Sequence, residues 1–434
     1  MINRRFFVQT AAVAAAGTLT VAPALADLPQ MQRWGEQKWL LDDIIQSVGM
    51  DWDQGRSSVM VASLGPESQT DLNTIRARIK KFADFVPAFE AAARRREGLA
   101  KEAEAAGDLI TARDNYFMAG NYYGQSQWSI YEKNDENMML NAKKRETYGK
   151  YISLADHHVE YVTLSTPSGK KLPGLFHLPP NYKPGTKIPA IVAIPGMDGY
   201  KERSIALYGD RWMNRGVAVF IVEMPGEWEA PLLDTFVNLQ SMIEGAHVVA
   251  DWMQARPEID PNKIGLTGSS FGTFITTIMA GHEPRFKAVA NQSTCYEPGM
   301  KSLLSEASPT FKRRFMFMSG YTDEAKFDAF SKTLTLEGSY DRIRVPFMTM
   351  MGQDDELSPP VNAERMYGKM TAPRRLVVYA DSRHALGGVP SVTAGPVPGI
   401  LAADWMVKTL NGTPLVSERW FVDPAGRITK TPYA

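Results

Sequence analysis

A serine hydroxyl attacks a carbonyl at neutral pH only when a neighbouring base takes its proton and a carboxylate fixes that base. This chain of 434 residues offers such a serine in Gly268-Ser269-Ser270-Phe271-Gly272, which fits G-x-S-x-G with Ser270 at its centre. An apolar run leads into the motif and a helical pattern follows from Phe271 to about Gly281, the strand-to-helix context that a strained nucleophile turn requires.

The partners follow in the order serine, acid, histidine. Gly352-Gln353-Asp354-Asp355 begins where an apolar strand ends. Asp355 is the candidate acid on the G-x-x-D spacing, with Asp354 its rival. Of the six histidines, only His384 follows a strand at the right place in the chain, just past what the pattern gives as the last strand. The negative charge that develops on the attacked carbonyl needs two backbone N–H donors. Phe271 supplies one, directly after the nucleophile. Met197, in the loop Pro195-Gly196-Met197-Asp198-Gly199, is the candidate for the other, since Gly196 lets the backbone approach closely. Asp198 beside that loop reads either as a solvated turn residue before Gly199 or as a carboxylate pointed at substrate.

These residues need a sheet to hold them. From Val159 onward, apolar strands alternate with helices: a hairpin over 159–165 and 171–178, buried strands at 189–195 and 217–223, and helices over 203–215 and 239–255. After the elbow come strands at 288–291, 346–351 and 376–379. The pattern predicts an α/β fold with a mostly parallel sheet, helices on both faces and right-handed crossovers. Residues 296–340 interrupt the alternation with helical segments carrying Phe311, Phe315, Phe317 and Phe327, read as either a lid or a packed connection.

Residues 27–156 show little strand character. Segments 71–85, 91–106 and 134–152 read as amphipathic helices, and Leu109, Ala112, Tyr116, Ala119 and Tyr123 recur at helical spacing. This predicts an all-helical N-terminal subdomain that must bury its faces against itself or against the sheet domain. Tyr116, Tyr122, Tyr123 and Trp128 either form its core or line a pocket. His157 and His158 adjoin one another at a strand start, so their side chains point to opposite faces and are read as structural.

Composition sets bounds. The 48 Lys+Arg balance 48 Asp+Glu, which gives no electrostatic basis for capturing nucleic acid or an anionic membrane. The lone cysteine, Cys295, has no internal disulfide partner and no second thiol for a metal cage, so it reads as a buried structural thiol and no metal or cofactor is expected. At the start, Arg4-Arg5 precedes an Ala-rich stretch and an A-x-A site at Ala24-Leu25-Ala26. That predicts a signal over residues 1–26 of the twin-arginine type and a periplasmic or secreted product, too short in its apolar part to serve as a stable membrane anchor. A homodimer is left open.

The elbow, the acid loop, His384, the loop 195–202 and Glu223-Met224-Pro225-Gly226-Glu227-Trp228 together resemble the α/β-hydrolase family that includes dihydroxypseudooxynicotine hydrolase and fungal polyketide-shortening hydrolases. The likeness extends to the helical N-terminal region. It implies an α/β-hydrolase catalytic domain over 157–434 and a serine hydrolase that cleaves an ester or a carbon–carbon bond next to a ketone. It also matches Asp198 to a loop glutamate of those relatives, and marks Asp198 and Trp228 as candidates for contact with a small-molecule substrate. Two other readings stay in view. One is an exopeptidase-like hydrolase, for which no propeller repeat or amino-terminus cluster is seen; the other is a non-catalytic scaffold in which the helices bind a partner.

Overall fold

The structure, a computed structural model, describes residues 32–433. The signal expected over residues 1–26 lies outside the described residues.

Six helices come first: α1 Gln32–Val48, α2 Arg56–Leu64, α3 Ser68–Arg78, α4 Phe85–Ala106, α5 Leu109–Ser126 and α6 Asp135–Leu154. The helix expected over 71–85 ends early, because the Asp84 carboxylate accepts the N–H groups of Lys80 and Lys81 and forms a turn there. The next helix starts at Phe85 rather than Ala91. At α6 the Asn134 side chain accepts the Asn137 N–H and satisfies one of the helix's orphan donors. Tyr116, Tyr122 and Tyr123 are core residues of this layer. Their hydroxyls donate to Glu104, Asp71 and Glu97 respectively, so each phenol is buried with an acceptor at its tip.

The sheet comprises β1 Val159–Ser165, β2 Lys171–His177, β3 Ile188–Ile194, β4 Ala218–Val222, β5 Ile259–Ser269, β6 Ala288–Gln292, β7 Phe347–Gly352, β8 Arg374–Tyr379, β9 Glu418–Val422 and β10 Ile428–Pro432. Their spatial order is β1-β2-β4-β3-β5-β6-β7-β8-β9-β10. The strands from β4 across to β9 run parallel, while β1, β2 and β10 pair antiparallel at the edges.

The crossovers are α7 Leu239–Ala255, α8 Phe271–His282, α9 Pro309–Ser319, α10 Glu324–Ser331, α11 Pro360–Lys369, α12 Pro390–Ala394 and α13 Pro398–Leu410. Because strand side chains alternate, neighbours go to different cores. Val192, Phe220 and Leu376 face α7, α8, α11 and the 296–340 segment. Ile191, Val219 and Val377 face α13 and share one apolar cluster with the N-terminal helices. The helical region is therefore continuous with one face of the sheet rather than a separate body.

Two further expectations are corrected. Residues 203–215 do not form a helix: two short turns, Lys201–Arg203 and Met213–Arg215, flank a loop. Asp210 there accepts the N–H groups of Trp212 and Met213 in place of helical carbonyls. Nor is β8 the last strand, since β9 and β10 close that edge. Strand β10 is exposed along its whole length, so its residues carry no burial alternation by which a pattern reading finds strands.

In the 296–340 segment, Phe311, Phe315 and Phe327 are buried in the sheet's core. The Val237 N–H donates to the Met318 carbonyl. The segment is a packed cover over the sheet. His157 contacts His177 at 3.0 Å and Asp156 at 2.9 Å, while His158 is separate and faces Glu160. Cys295 is a buried free thiol, and burial pushes its pKa up.

Candidate active site

Three parallel strands end side by side, and each leads into one of the three side chains that the sequence singled out. Ser270 follows β5, Asp355 follows β7 and His384 follows β8. At the end of β5 the chain reverses sharply into α8. Ser270 adopts φ 54° and ψ −125°, a conformation that costs a non-glycine residue about 1–3 kcal/mol and is retained where the surroundings over-determine it. Gly272 permits the reversal because a Cβ there would lie 2.3 Å from the Ile194 carbonyl oxygen.

The three groups form one hydrogen-bonded line. The Ser270 hydroxyl lies 2.9 Å from His384 Nε2, and His384 Nδ1 lies 3.0 Å from both Asp355 oxygens. With the proton on Nδ1, the imidazole donates to Asp355 and its Nε2 accepts from Ser270. The Asp355 carboxylate is buried and also accepts the N–H groups of Leu357 and Ser358, which fixes its orientation. Its rival Asp354 is exposed. Burial works against charge on His384, but the charge and hydrogen bond of Asp355 outweigh it and lift the imidazole's pKa above its ordinary value.

The Pro195–Gly199 loop lies against the elbow. Gly196 has φ 88°, and a Cβ on it would lie 2.3 Å from the Ser269 carbonyl oxygen and 3.4 Å from the Phe271 nitrogen. Only glycine allows this approach. The Gly196 N–H donates at 2.6 Å to Glu227, which also accepts the Met224 N–H at 2.8 Å. Glu227 is fully buried, and that burial raises its pKa well above the carboxylate range despite the two donors. With Gly196 so engaged, Met197 carries the next N–H of the loop. Phe271, as the first residue of α8, has an N–H without an intrahelical acceptor.

Asp198 is not a solvated turn residue. Its carboxylate accepts the Trp128 indole N–H at 2.7 Å and the Gln54 amide at 3.0 Å, both from the helical region. Trp128 is in turn covered by the Arg56 guanidinium, 3.9 Å from its ring centre, and Arg56 pairs with Asp53. Trp228 is buried with φ 28° and packs 4.7 Å from the Tyr200 ring. Sequence reasoning singled out neither Gln54 nor this aromatic bracket around the carboxylate.

A buried charge network was missed as well. Lys201 Nζ lies 2.6 Å from Glu229, 3.2 Å from Glu202 and 3.4 Å from Glu223. From α6, Lys144 faces Glu202 at 3.4 Å and Arg145 reaches Glu229 at 2.7 Å. Burial would raise the Glu229 carboxyl's pKa, but the Lys201, Lys144 and Arg145 charges hold it below its ordinary value. The signal was present in Glu223-Met224-Pro225-Gly226-Glu227-Trp228-Glu229, where three carboxylates punctuate an otherwise largely apolar stretch.

Neither of two surface cavities touches the three active groups. One, of about 20 Å³, lies by Tyr296 and Tyr340. The other, of about 190 Å³, lies over Phe82, Ser129, Tyr131 and Arg313. The hydrogen-bonded line, not cavity size, identifies the site. Among the described residues, no group of three His, Cys, Asp or Glu is placed to share a metal ion.

The strand order, and the positions of serine, acid and histidine after β5, β7 and β8, define an α/β-hydrolase fold. Residues 240–412 match the prolyl oligopeptidase family. The chain is 27% identical over 275 residues to the alpha/beta hydrolase xenA of Xenoacremonium sinensis, covering 61% of this chain and 63% of that one. It is 28% identical over 205 residues to the 20-hydroxy-prefusarin hydrolase FUS2 of Gibberella moniliformis, covering 45% and 48%. The matches span less than two thirds of the length of these curated relatives. The fold of this chain is thus that of the α/β-hydrolase class. Within that class its architecture, helical N-terminal region included, is similar to the crystal structure of 2,6-dihydroxy-pseudo-oxynicotine hydrolase, at TM-score 0.66 and 21% identity over 82% of this chain and 95% of that one.

Proposed function

We propose that the protein is a serine hydrolase that acts on a carboxylic ester or a β-diketone-type carbon–carbon bond. The observation that carries this reading is the unbroken line from Ser270 Oγ through His384 to Asp355 at 2.9 and 3.0 Å. Ser270 Oγ attacks the carbonyl carbon as its proton passes to His384 Nε2, and Asp355 stabilises the imidazolium. The oxyanion is held by the N–H groups of Phe271 and Met197. Collapse of the tetrahedral intermediate breaks the bond to the leaving group, an alkoxide or a ketone-stabilised carbanion, which takes the proton from His384. Water, deprotonated by the same imidazole, then frees the acid from Ser270. Asp198, oriented by Trp128 and Gln54, faces the substrate beside the oxyanion loop.

Treatment with a fluorophosphonate, followed by peptide mapping, tests the reading. An adduct on Ser270 is expected in folded wild type and none in His384→Ala. Absence of the adduct from folded wild type would leave a scaffold instead. The match of residues 240–412 to the prolyl oligopeptidase family favours a second reading, peptidase-type acyl transfer. Turnover of aminoacyl arylamides measured beside aryl esters tests it, and cleavage of the arylamides alone would establish it. We also propose export by the twin-arginine route on the basis of Arg4-Arg5 and the A-x-A site. Cytoplasmic retention of an Arg4→Lys, Arg5→Lys double variant is the expected result.

A further inference from the structure

The inner side of α9 carries a guanidinium with no obvious reason to be buried. Arg314 is 3% exposed, yet among the described residues no carboxylate lies within ion-pair distance of it, and its Nε has no hydrogen-bond partner. Two ring faces lie against it, Trp228 at 4.5 Å and Phe317 at 5.8 Å from ring centre to guanidinium carbon. Ring faces attract a cation but accept none of its five N–H donors in the plane where a guanidinium binds oxygen.

The nearest acidic groups are engaged elsewhere. Asp198 is occupied by Trp128 and Gln54. Glu223 accepts from the Lys201 N–H and Nζ and from the Glu229 N–H. Burial consequently draws the guanidinium's pKa down, with Tyr131, Asp198 and Glu223 offsetting only part of that effect.

Other donors around Arg314 are in the same condition. The Trp228 indole N–H and the Tyr131 hydroxyl are both buried without a partner. Trp228 directly follows Glu227, whose carboxylate accepts the N–H of Gly196 in the loop against the elbow, so the cluster adjoins the Ser270 turn. Helix α9 reaches the nucleophile directly, because Phe315 packs edge-on against Phe271 at 4.9 Å. Trp228 is held at φ 28°, strained for a non-glycine residue, with its ring between Tyr200 and Arg314.

A set of desolvated donors lacking acceptors costs stability unless a ligand completes it. We infer that Arg314, with the Tyr131 hydroxyl and the Trp228 indole N–H, binds a carboxylate of the substrate, so that this hydrolase selects acidic over neutral substrates. The inference rests on the serine-hydrolase reading above and names the substrate class for that site. A planar fork of guanidinium donors matches a carboxylate bidentately, which an ammonium does not reproduce.

The test compares kcat/KM for charged and uncharged ester pairs. For the acyl side these are 4-methylumbelliferyl half-esters of glutaric to suberic acids against straight-chain acyl esters of matched length. For the leaving-group side they are 3- and 4-carboxyphenyl butyrate against phenyl butyrate. Wild type is expected to favour at least one charged member over its neutral partner by tenfold or more, and the responsive series locates the carboxylate. Arg314→Met should bring that ratio towards one, while Arg314→Lys retains part of it. Competitive inhibition of neutral-ester turnover by the matching free dicarboxylate in wild type gives a readout independent of any variant's folding. Neutral substrates preferred throughout, an unchanged ratio in Arg314→Met, or no competition by any dicarboxylate would overturn the inference. Failure of the underlying reading looks different: no turnover of either member and no fluorophosphonate adduct on Ser270.

Discussion

The Trp128 indole N–H donates to Asp198 Oδ1 at 2.7 Å and so joins the helical region to the loop that flanks the nucleophile. Gln54 completes the hold on the other oxygen at 3.0 Å. The Asp198 carboxylate thus takes its orientation from residues 70 and 144 positions away in sequence. Asp198→Asn is expected to lower β-diketone cleavage at least tenfold more than aryl-ester cleavage, and Trp128→Phe to act in the same direction more weakly. Trp128→Phe should also cost about 1–3 kcal/mol of stability, since it leaves a charged acceptor short of one donor. Turnover on paired substrates and urea unfolding measure the two effects. Equal losses on both substrates would reduce Asp198 to a structural role.

Ser270 sits at φ 54°, where glycine pays no steric penalty. Ser270→Gly and Ser270→Ala should both abolish the fluorophosphonate adduct, yet differ in stability. The glycine variant is expected to be the more stable by about 1 kcal/mol, the relieved strain exceeding the added chain entropy. Urea midpoints decide this, and coincident midpoints would mean that the elbow stores no strain.

Proton transfer sets the pH dependence. The imidazole must be neutral to accept from Ser270, and Asp355 holds its pKa above the ordinary value of 6.5. Activity should therefore fall as pH drops through a value above 6.5. Asp355→Asn should move that limb to lower pH and reduce kcat by about 10⁴-fold, as expected when the tautomer is no longer fixed. Stability runs the other way. A raised folded pKa contributes stability that is fully present below the unfolded value and lost as pH rises through the folded one. Unfolding of wild type and Asp355→Asn across pH 5–9 should show a difference that narrows towards alkaline pH.

Lys201 is the hub of the buried charges under the loop after β4. Lys201→Met leaves Glu202, Glu223 and Glu229 facing one another in a dry site with only Lys144 and Arg145 to balance them. The expected cost is about 3–5 kcal/mol, as for a buried pair broken from one side. Because Glu229 is held below its ordinary pKa, wild-type stability from this network is present above pH 4.5 and is lost as pH falls through the folded value. Acid unfolding followed by circular dichroism should show Lys201→Met losing its structure at higher pH than wild type.

Much of the architecture was legible from pattern. Strands β3 and β4 are unbroken apolar runs because both their faces are covered, and α7 was readable from Leu239 to Ala255 because its apolar period is unbroken. The hairpin of β9 and β10 was not, since an exposed edge strand imposes no alternation. Residues 203–215 misled because amphipathic spacing survives there while Asp210 captures the N–H groups that a helix would use.

The order of side chains along the polypeptide, with the periods around them, was enough to place Ser270, Asp355 and His384 at the ends of strands. Local chemistry specifies such turns, and the handedness of crossovers leaves few ways to arrange the strands they end. Which charges are paired was decided only by folding. Asp198 finds Trp128, Lys201 finds Glu229, and Arg314 is left facing rings, because segments distant along the chain are pressed together where water cannot satisfy them. Burial strengthens every such pairing and every missing one, and the substrate preference inferred here follows from a buried cation, Arg314, that has no carboxylate within ion-pair distance among the described residues.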